Sequence, residues 1–259
     1  MTAASDDNAE TRRAEICVVA CADAFAGHDE ILVSPMGLIP MVAARLAKLT
    51  SAPHCLLSDG EGLIVENILP LNADPSEKEV GGYLPFRNIF DVVWSGKRHV
   101  MMGATQIDRF GNQNISCIGT WDQPKVQLLG VRGAPGNTVN HLTSYWIPNH
   151  NARVFVTDVD VVSGVGPNRI PKEEPPKGHL KRVVSNLGVF DCSTENGHMQ
   201  IVSLHPGVNL SEVLDATDFQ FQHADKIAVT RFPTAEERAL IRDQIDTEGK
   251  IYLEVPDER

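Results

Sequence analysis

Two glycine-rich segments hold the residues best suited to chemistry. Ser58-Asp59-Gly60-Glu61-Gly62 places two carboxylates among small residues, directly after an apolar run that reads as a strand. In open α/β sheets, ligands bind beyond the carboxyl ends of strands, so Glu61 flanked by Gly60 and Gly62 stands where general acid–base work is done. A tight surface turn fits the same residues, because Asp and Gly favour turns on steric grounds. The second segment is Gly130-Val131-Arg132-Gly133-Ala134-Pro135-Gly136-Asn137. Its three glycines let backbone approach a ligand and aim N–H groups at a phosphate or a developing oxyanion. Its spacing matches neither a P-loop nor a dinucleotide fingerprint, and an ordinary loop is an equal reading.

Two more segments read as structural. Gly103 to Asn114 leads from a strand into a turn tipped by Gly111-Asn112. Asn140 to Asn151 carries His141 and His150 around Tyr145 and Trp146, without a metal spacing, so both read as loop or interface histidines. The sequence contains no G-x-S-x-G elbow, H-E-x-x-H helix or kinase signature. Cys17, Cys21, Cys55, Cys117 and Cys192 form an odd set without a C-x-x-C pair, and read as buried reduced thiols.

The elements that must position these residues alternate between helix and strand. A helix is predicted from about Glu10 to Ala26, closed by Gly27, then a strand at Ile31 to Ser34. Pro35-Met36-Gly37 opens a second helix reaching Leu49, and His54 to Ser58 is the next strand. That β-α-β unit predicts a parallel sheet with crossover helices. Further strands are predicted at His99 to Met102, Val126 to Gly130, Arg153 to Thr157, Arg182 to Val189 and Met199 to Leu204. Asp74 to Arg98 reads as an excursion from the sheet, and Pro171 to Gly178 as an exposed loop. Asn209-Leu210-Ser211-Glu212 has the spacing of a capping box, and Ala235 to Ile245 reads as an amphipathic helix. The expectation is one α/β domain over residues 1–259, with a mixed, largely parallel sheet and a polar tail at 1–9.

Composition narrows the function classes. Asp plus Glu number 34 against 23 Lys plus Arg, a formal charge of -11 without a basic tract. Nucleic acid and anionic membrane normally demand a positive face, so both are poor partners. The sequence has neither an apolar signal region nor a run of ~18 apolar residues, so a cytoplasmic, soluble protein is expected.

Taken in order, the motifs resemble those of the beta subunits of class I CoA-transferases, from about Ile31 to Phe221. In that family a Glu-Ser/Asn-Gly turn follows a strand, and G-A-x-Q-V-D-x-x-G-N-x-N and G-x-G-G-A come later. Gly103 to Asn114 matches the second of these nearly residue for residue, and Gly130 to Ala134 approximates the third. Val183 to Asp191 and Pro206 to Val213 match two family segments near the end of the resemblance. The family's nucleophilic glutamate forms an acyl anhydride and then a glutamyl-CoA thioester. Aligned on Gly62-Leu63-Ile64, Gly60 occupies that position and Glu61 falls one residue late. The resemblance therefore implies that the thioester chemistry is lost or altered here.

Among relatives with that loss, the chain looks most like the beta subunits of actinobacterial steroid-degrading hydrolases. These open the last steroid ring, carried as a cyclic β-keto-enoyl-CoA thioester, by retro-Claisen hydrolysis. The resemblance implies a partner alpha subunit that supplies the main catalytic glutamate, and an α2β2 assembly. For such chemistry Gly60, Gly62, Gly133, Ala134, Gly136 and Asn137 are expected to bind substrate or oxyanion, and Glu61 to have an orienting or proton-handling role. Such a reaction needs no metal or redox cofactor, CoA being part of the substrate. A CoA-transferase beta subunit and a non-catalytic scaffold are the alternatives. With its acid excess, the chain alone is expected to bind CoA poorly.

Overall fold

The computed structural model describes residues 10–59, 62–95, 97–131, 133–170 and 179–256. α1 (Arg13–Phe25) is followed by β1 (Leu32–Pro35), α2 (Leu38–Leu49) and β2 (Leu56–Ser58). β3 (Leu63–Val65), β4 (Val80–Tyr83), α3 (Phe86–Ser95) and β5 (Arg98–Met102) come next. Two hairpins follow: β6 (Gln106–Ile107) with β7 (Gln113–Asn114), and β8 (Cys117–Gly119) with β9 (Pro124–Gln127). Then come α4 (Ala134–Asn140), β10 (Leu142–Ile147), β11 (Leu180–Ser185), β12 (Gly188–Asp191) and β13 (Gln200–Leu204). The remaining elements are α5 (Leu210–Asp215), β14 (Ala228–Val229), α6 (Ala235–Ala239) and α7 (Ile251–Glu254), with a π-helical stretch at Leu240–Ile245.

Ten strands form one sheet in the order β14-β13-β12-β11-β10-β5-β1-β2-β3-β4. β2, β1, β5, β10 and β11 run parallel, and β12, β3 and β4 each run antiparallel to the strand before them in the chain. The expected mixed, largely parallel α/β sheet is therefore present. From β1 the chain crosses to β2 on one side and later returns to β5 on the other. That reversal of direction leaves a crevice at the carboxyl ends of the central strands.

Side chains alternate between the two faces of the sheet. Val33, Met101, Trp146 and Val184 join one core with α1 and α2. Val100, Met102, Tyr145, Ile147 and Val183 join a second with Phe155, Phe190 and Phe221. Arg13 and Asp23 apart, every residue of α1 is buried, as a helix apolar around its whole girth must be. Each large aliphatic side chain buried there contributes about 1.5–3 kcal/mol. Its one buried charge, Glu15, accepts from Arg242 Nε at 2.6 Å and Tyr252 Oη at 2.9 Å, tying α1 to the chain around α7. All five cysteines are free and buried, as expected.

Several predicted elements are corrected. Arg182 to Val189 is a hairpin rather than one strand: β11 turns at Asn186-Leu187 and pairs antiparallel with β12. Arg153 to Thr157 makes only an isolated bridge, from Phe155 to Ile107. The run at Val126 falls in β9, an exposed hairpin strand outside the main sheet. Asp74 to Arg98 does not leave the sheet, because β4 forms its edge and α3 covers part of the site. Asn209 precedes α5 but its side chain makes no capping bond. The Met1 to Ala9 tail and the Pro171 to Gly178 loop lie outside the described residues. Among the described residues no helix is long and apolar enough to cross a membrane.

Candidate functional site

Beneath α3 lies a cavity of about 120 Å³ that runs along the sheet from Leu32 and Arg98, which open β1 and β5, to the carboxyl ends of β1 and β2. Ser34, Met36, Ser58, Gly62, Val92 and Arg98 are among the residues lining it. Gly62 reaches this wall through a backbone that only glycine adopts easily, with φ 136°. A Cβ there would stand 3.0 Å from the Leu84 carbonyl oxygen, and the Leu84 N–H donates to Gly62 O at 2.6 Å. Asp59 forms the turn: its Oδ1 accepts from the Gly62 and Leu63 N–H groups at 3.1 and 3.0 Å. Its Oδ2 pairs with Lys78 Nζ at 2.9 Å. Of the two candidate carboxylates in this segment, Asp59 is thus a structural one. Gly60 and Glu61 lie outside the described residues.

The second glycine-rich segment is the entry to α4. Here the Ala134 N–H donates to Val131 O at 3.0 Å. The Asn137 N–H likewise donates to Gly133 O at 2.9 Å. Gly136 is the point where α4 meets α3, since a Cβ there would lie 2.8 Å from Val93 Cγ1. Asn137 contributes through its side chain: buried, it accepts from Arg98 Nη1 at 3.3 Å. Arg98 Nε donates to Ser34 Oγ at 2.8 Å. Arg98 therefore joins the α4 segment to the cavity that Gly62 lines. Neither Arg98 nor Ser34 stood out in the sequence, where the only signal was an arginine opening an otherwise apolar strand.

Both histidines lie between elements, as expected, but they are buried there. His150 stacks on Phe155 at 3.6 Å and meets the hydroxyls of Ser185 and Thr217, both at 2.9 Å. His141 follows α4, fully buried, with neither ring nitrogen hydrogen-bonded. Burial, aided by the charge of Arg98, lowers its pKa to about 4, so it is neutral at pH 7. Next to Arg98 near the start of β5, His99 shares a 2.6 Å hydrogen bond with His28 and also meets Ser144 Oγ at 2.9 Å. Among the described residues no three His, Cys, Asp or Glu side chains gather as a metal site. The turn tipped by Gly111 is structural, as expected, with Asp108 accepting from the Phe110 and Asn112 N–H groups.

No family model matches the chain. It is 50% identical over 244 residues, 93% of this chain and 95% of the relative, to the cholesterol ring-cleaving hydrolase IpdB subunit of Rhodococcus jostii RHA1. The chain belongs to the IpdB subunit family. The crystal structure of Rhodococcus jostii RHA1 IpdAB superposes with a TM-score of 0.91, covering 95% of this chain and 99% of that one. A more distant relative, the B-type polypeptide of the 3-oxoadipate CoA-transferase of Pseudomonas knackmussii, is 30% identical over 79% of this chain and 82% of its own length. The CoA-transferase fold expected from the motifs is thereby confirmed. In this IpdB-family chain, Gly62 and Arg98 line one cavity, and Asn137 of α4 is hydrogen-bonded to Arg98 behind it.

Proposed function

We propose that this chain is the B-type subunit of a heteromeric hydrolase that opens the last steroid ring of a cyclic β-keto-enoyl-CoA thioester. The observation that carries this reading is the 50% identity, spread over 93% of the chain, to a subunit named for cholesterol ring cleavage. The sequence departure at Gly60 supports hydrolysis over CoA transfer, since the transferase nucleophile would occupy that position.

The chemistry is a retro-Claisen hydrolysis. A base takes a proton from water, and the hydroxide adds to the ring ketone to give a tetrahedral oxyanion. The oxyanion collapses, the bond to the carbon beside the thioester breaks, and its electron pair is delocalised as the thioester enolate. Protonation of that carbon completes the ring-opened acid, still carried on CoA. The base is assigned to a glutamate of the A-type partner, in an α2β2 assembly. Glu61 has an orienting or proton-handling role, with Gly60, Gly62, Gly133 and Gly136 shaping the backbone around the acyl group. Asn137 acts through its side chain. No metal or redox cofactor is required, and a cytoplasmic location suits a CoA thioester substrate.

A heteromer is supported by the surface of α3. Phe86, Phe90 and Trp94 lie four residues apart along one helix face and are 77%, 55% and 69% exposed. Aromatic stripes of this kind mark subunit interfaces. Glu61→Gln tests the role of the turn: in the co-purified complex it should lower the ring-opening rate by roughly tenfold or more. Turnover equal to that of the native complex would remove Glu61 from the mechanism.

A further inference from the structure

Among the described residues that line the cavity beneath α3, Arg98 is the only charged one. Its neighbours there include Met36, Leu84, Ile89 and Val92, so the wall around it is largely apolar. Among the described residues no carboxylate pairs with it: its bonds go to two neutral acceptors, Ser34 Oγ and Asn137 Oδ1. Those two bonds employ Nε and Nη1, and Nη2 donates to no described residue. A guanidinium has five N–H donors in a rigid fork, so three remain for a ligand. Burial lowers the pKa of Arg98, and the charge of Arg98 in turn disfavours protonation of His141. A half-buried cation that no described carboxylate pairs is unfavourable in a chain with 34 acidic side chains to offer. Its persistence here is explained by an anion that arrives from outside.

We propose that Arg98, oriented by Ser34 and Asn137, binds a free carboxylate on the acyl group of the substrate. The inference rests on the reading that the acyl part of a CoA thioester occupies this crevice. A single planar fork in a small apolar cavity suits one carboxylate in bidentate contact. The phosphates of CoA, with several charges and a large hydration shell, call for several cations in a wetter site.

The test compares glutaryl-CoA with valeryl-CoA, equal in chain length and differing in a terminal carboxylate against a methyl group. Calorimetric titration uses the complex with its A-type partner, native and with Arg98→Met, Arg98→Lys or Ser34→Ala. The native complex should prefer glutaryl-CoA by about tenfold or more. Arg98→Met should abolish that preference while valeryl-CoA binds as before, and Arg98→Lys should restore part of it. Ser34→Ala keeps the charge but releases Nε, and should reduce the preference a few-fold. The proposal is overturned by a native complex without preference, or by a preference that survives Arg98→Met. Equal weakening of both thioesters in Arg98→Met would overturn it too, assigning Arg98 to a CoA phosphate. Should Arg98→Met fail to fold, an unchanged preference in Ser34→Ala overturns it instead. No turnover is involved, so absent ring opening alongside an intact carboxylate preference would count against the proposed function alone.

Discussion

Glu61, Asp59 and Arg98 show how far single residues can be read from sequence. Two carboxylates in one glycine-rich turn invited an acid–base reading, yet the turn itself consumes Asp59, whose side chain satisfies two N–H groups and Lys78. Arg98 was not legible, because its partners Ser34 and Asn137 lie 64 and 39 residues away along the chain. Only the parallel pairing of β1 with β5 brings Ser34 and Arg98 together. His141 and His150 do lie between elements, but their burial was not legible for a related reason, since nothing local distinguishes a buried histidine from an exposed one. Their burial has a consequence for pH. His28 and His205 are each lowered to about 4 and His150 to about 3, burial being the largest cause. Unfolded histidine titrates near 6.5, so the unfolded chain binds more protons between those values. Stability is then fully present above about pH 6.5 and declines as pH falls toward 4. Urea midpoints should drop steadily from pH 7 to pH 5, and a flat profile across that window would contradict the burial of neutral imidazoles.

At the scale of elements, the first β-α-β unit was legible because each segment carries its own signals. An apolar run gives β1, small and aliphatic residues give α2, and the glycine after α1 takes a positive φ of 73°. Elsewhere local signals failed. β4 reads as loop because of Gly81-Gly82, yet Ile64 and Val65 of β3 pair with Gly82 and Val80. β10 was hidden among polar residues, although Thr143, Ser144, Tyr145 and Trp146 are all buried between β5 and β11. A strand enclosed by parallel neighbours can carry hydroxyl groups when those find partners, as Ser144 does on His99. The β2–β3 hairpin gives a direct test of how the site is built. Asp59→Ala removes the acceptor of two backbone N–H groups and should destabilise the fold by about 1–3 kcal/mol. Urea unfolding would show this as a lower midpoint at unchanged slope, whereas an unchanged midpoint would mean that the turn stands without it.

Across the whole molecule, the acid excess and the exposed aromatic stripe on α3 complement each other. The charge argues against polyanionic partners, while Phe86, Phe90 and Trp94 form an apolar face beside the crevice. Replacing Phe90 and Trp94 together with Ser should leave the thermal unfolding of the isolated chain nearly unchanged, since both side chains are already in water. Association with the A-type partner, followed by gel filtration, should weaken by about tenfold or more if the stripe lies at the subunit interface. Retention of the complex at native strength would place the interface elsewhere. The central claim is ring-opening hydrolysis by the assembled enzyme. It is tested most directly by incubating the co-purified complex with a cyclic β-keto-enoyl-CoA thioester in heavy-oxygen water. The expected product is ring-opened, its new carboxylate carrying one heavy oxygen, with the CoA thioester intact. An unopened ring, with CoA passed to an added acid and a borohydride-trapped glutamyl thioester on this chain, would contradict it.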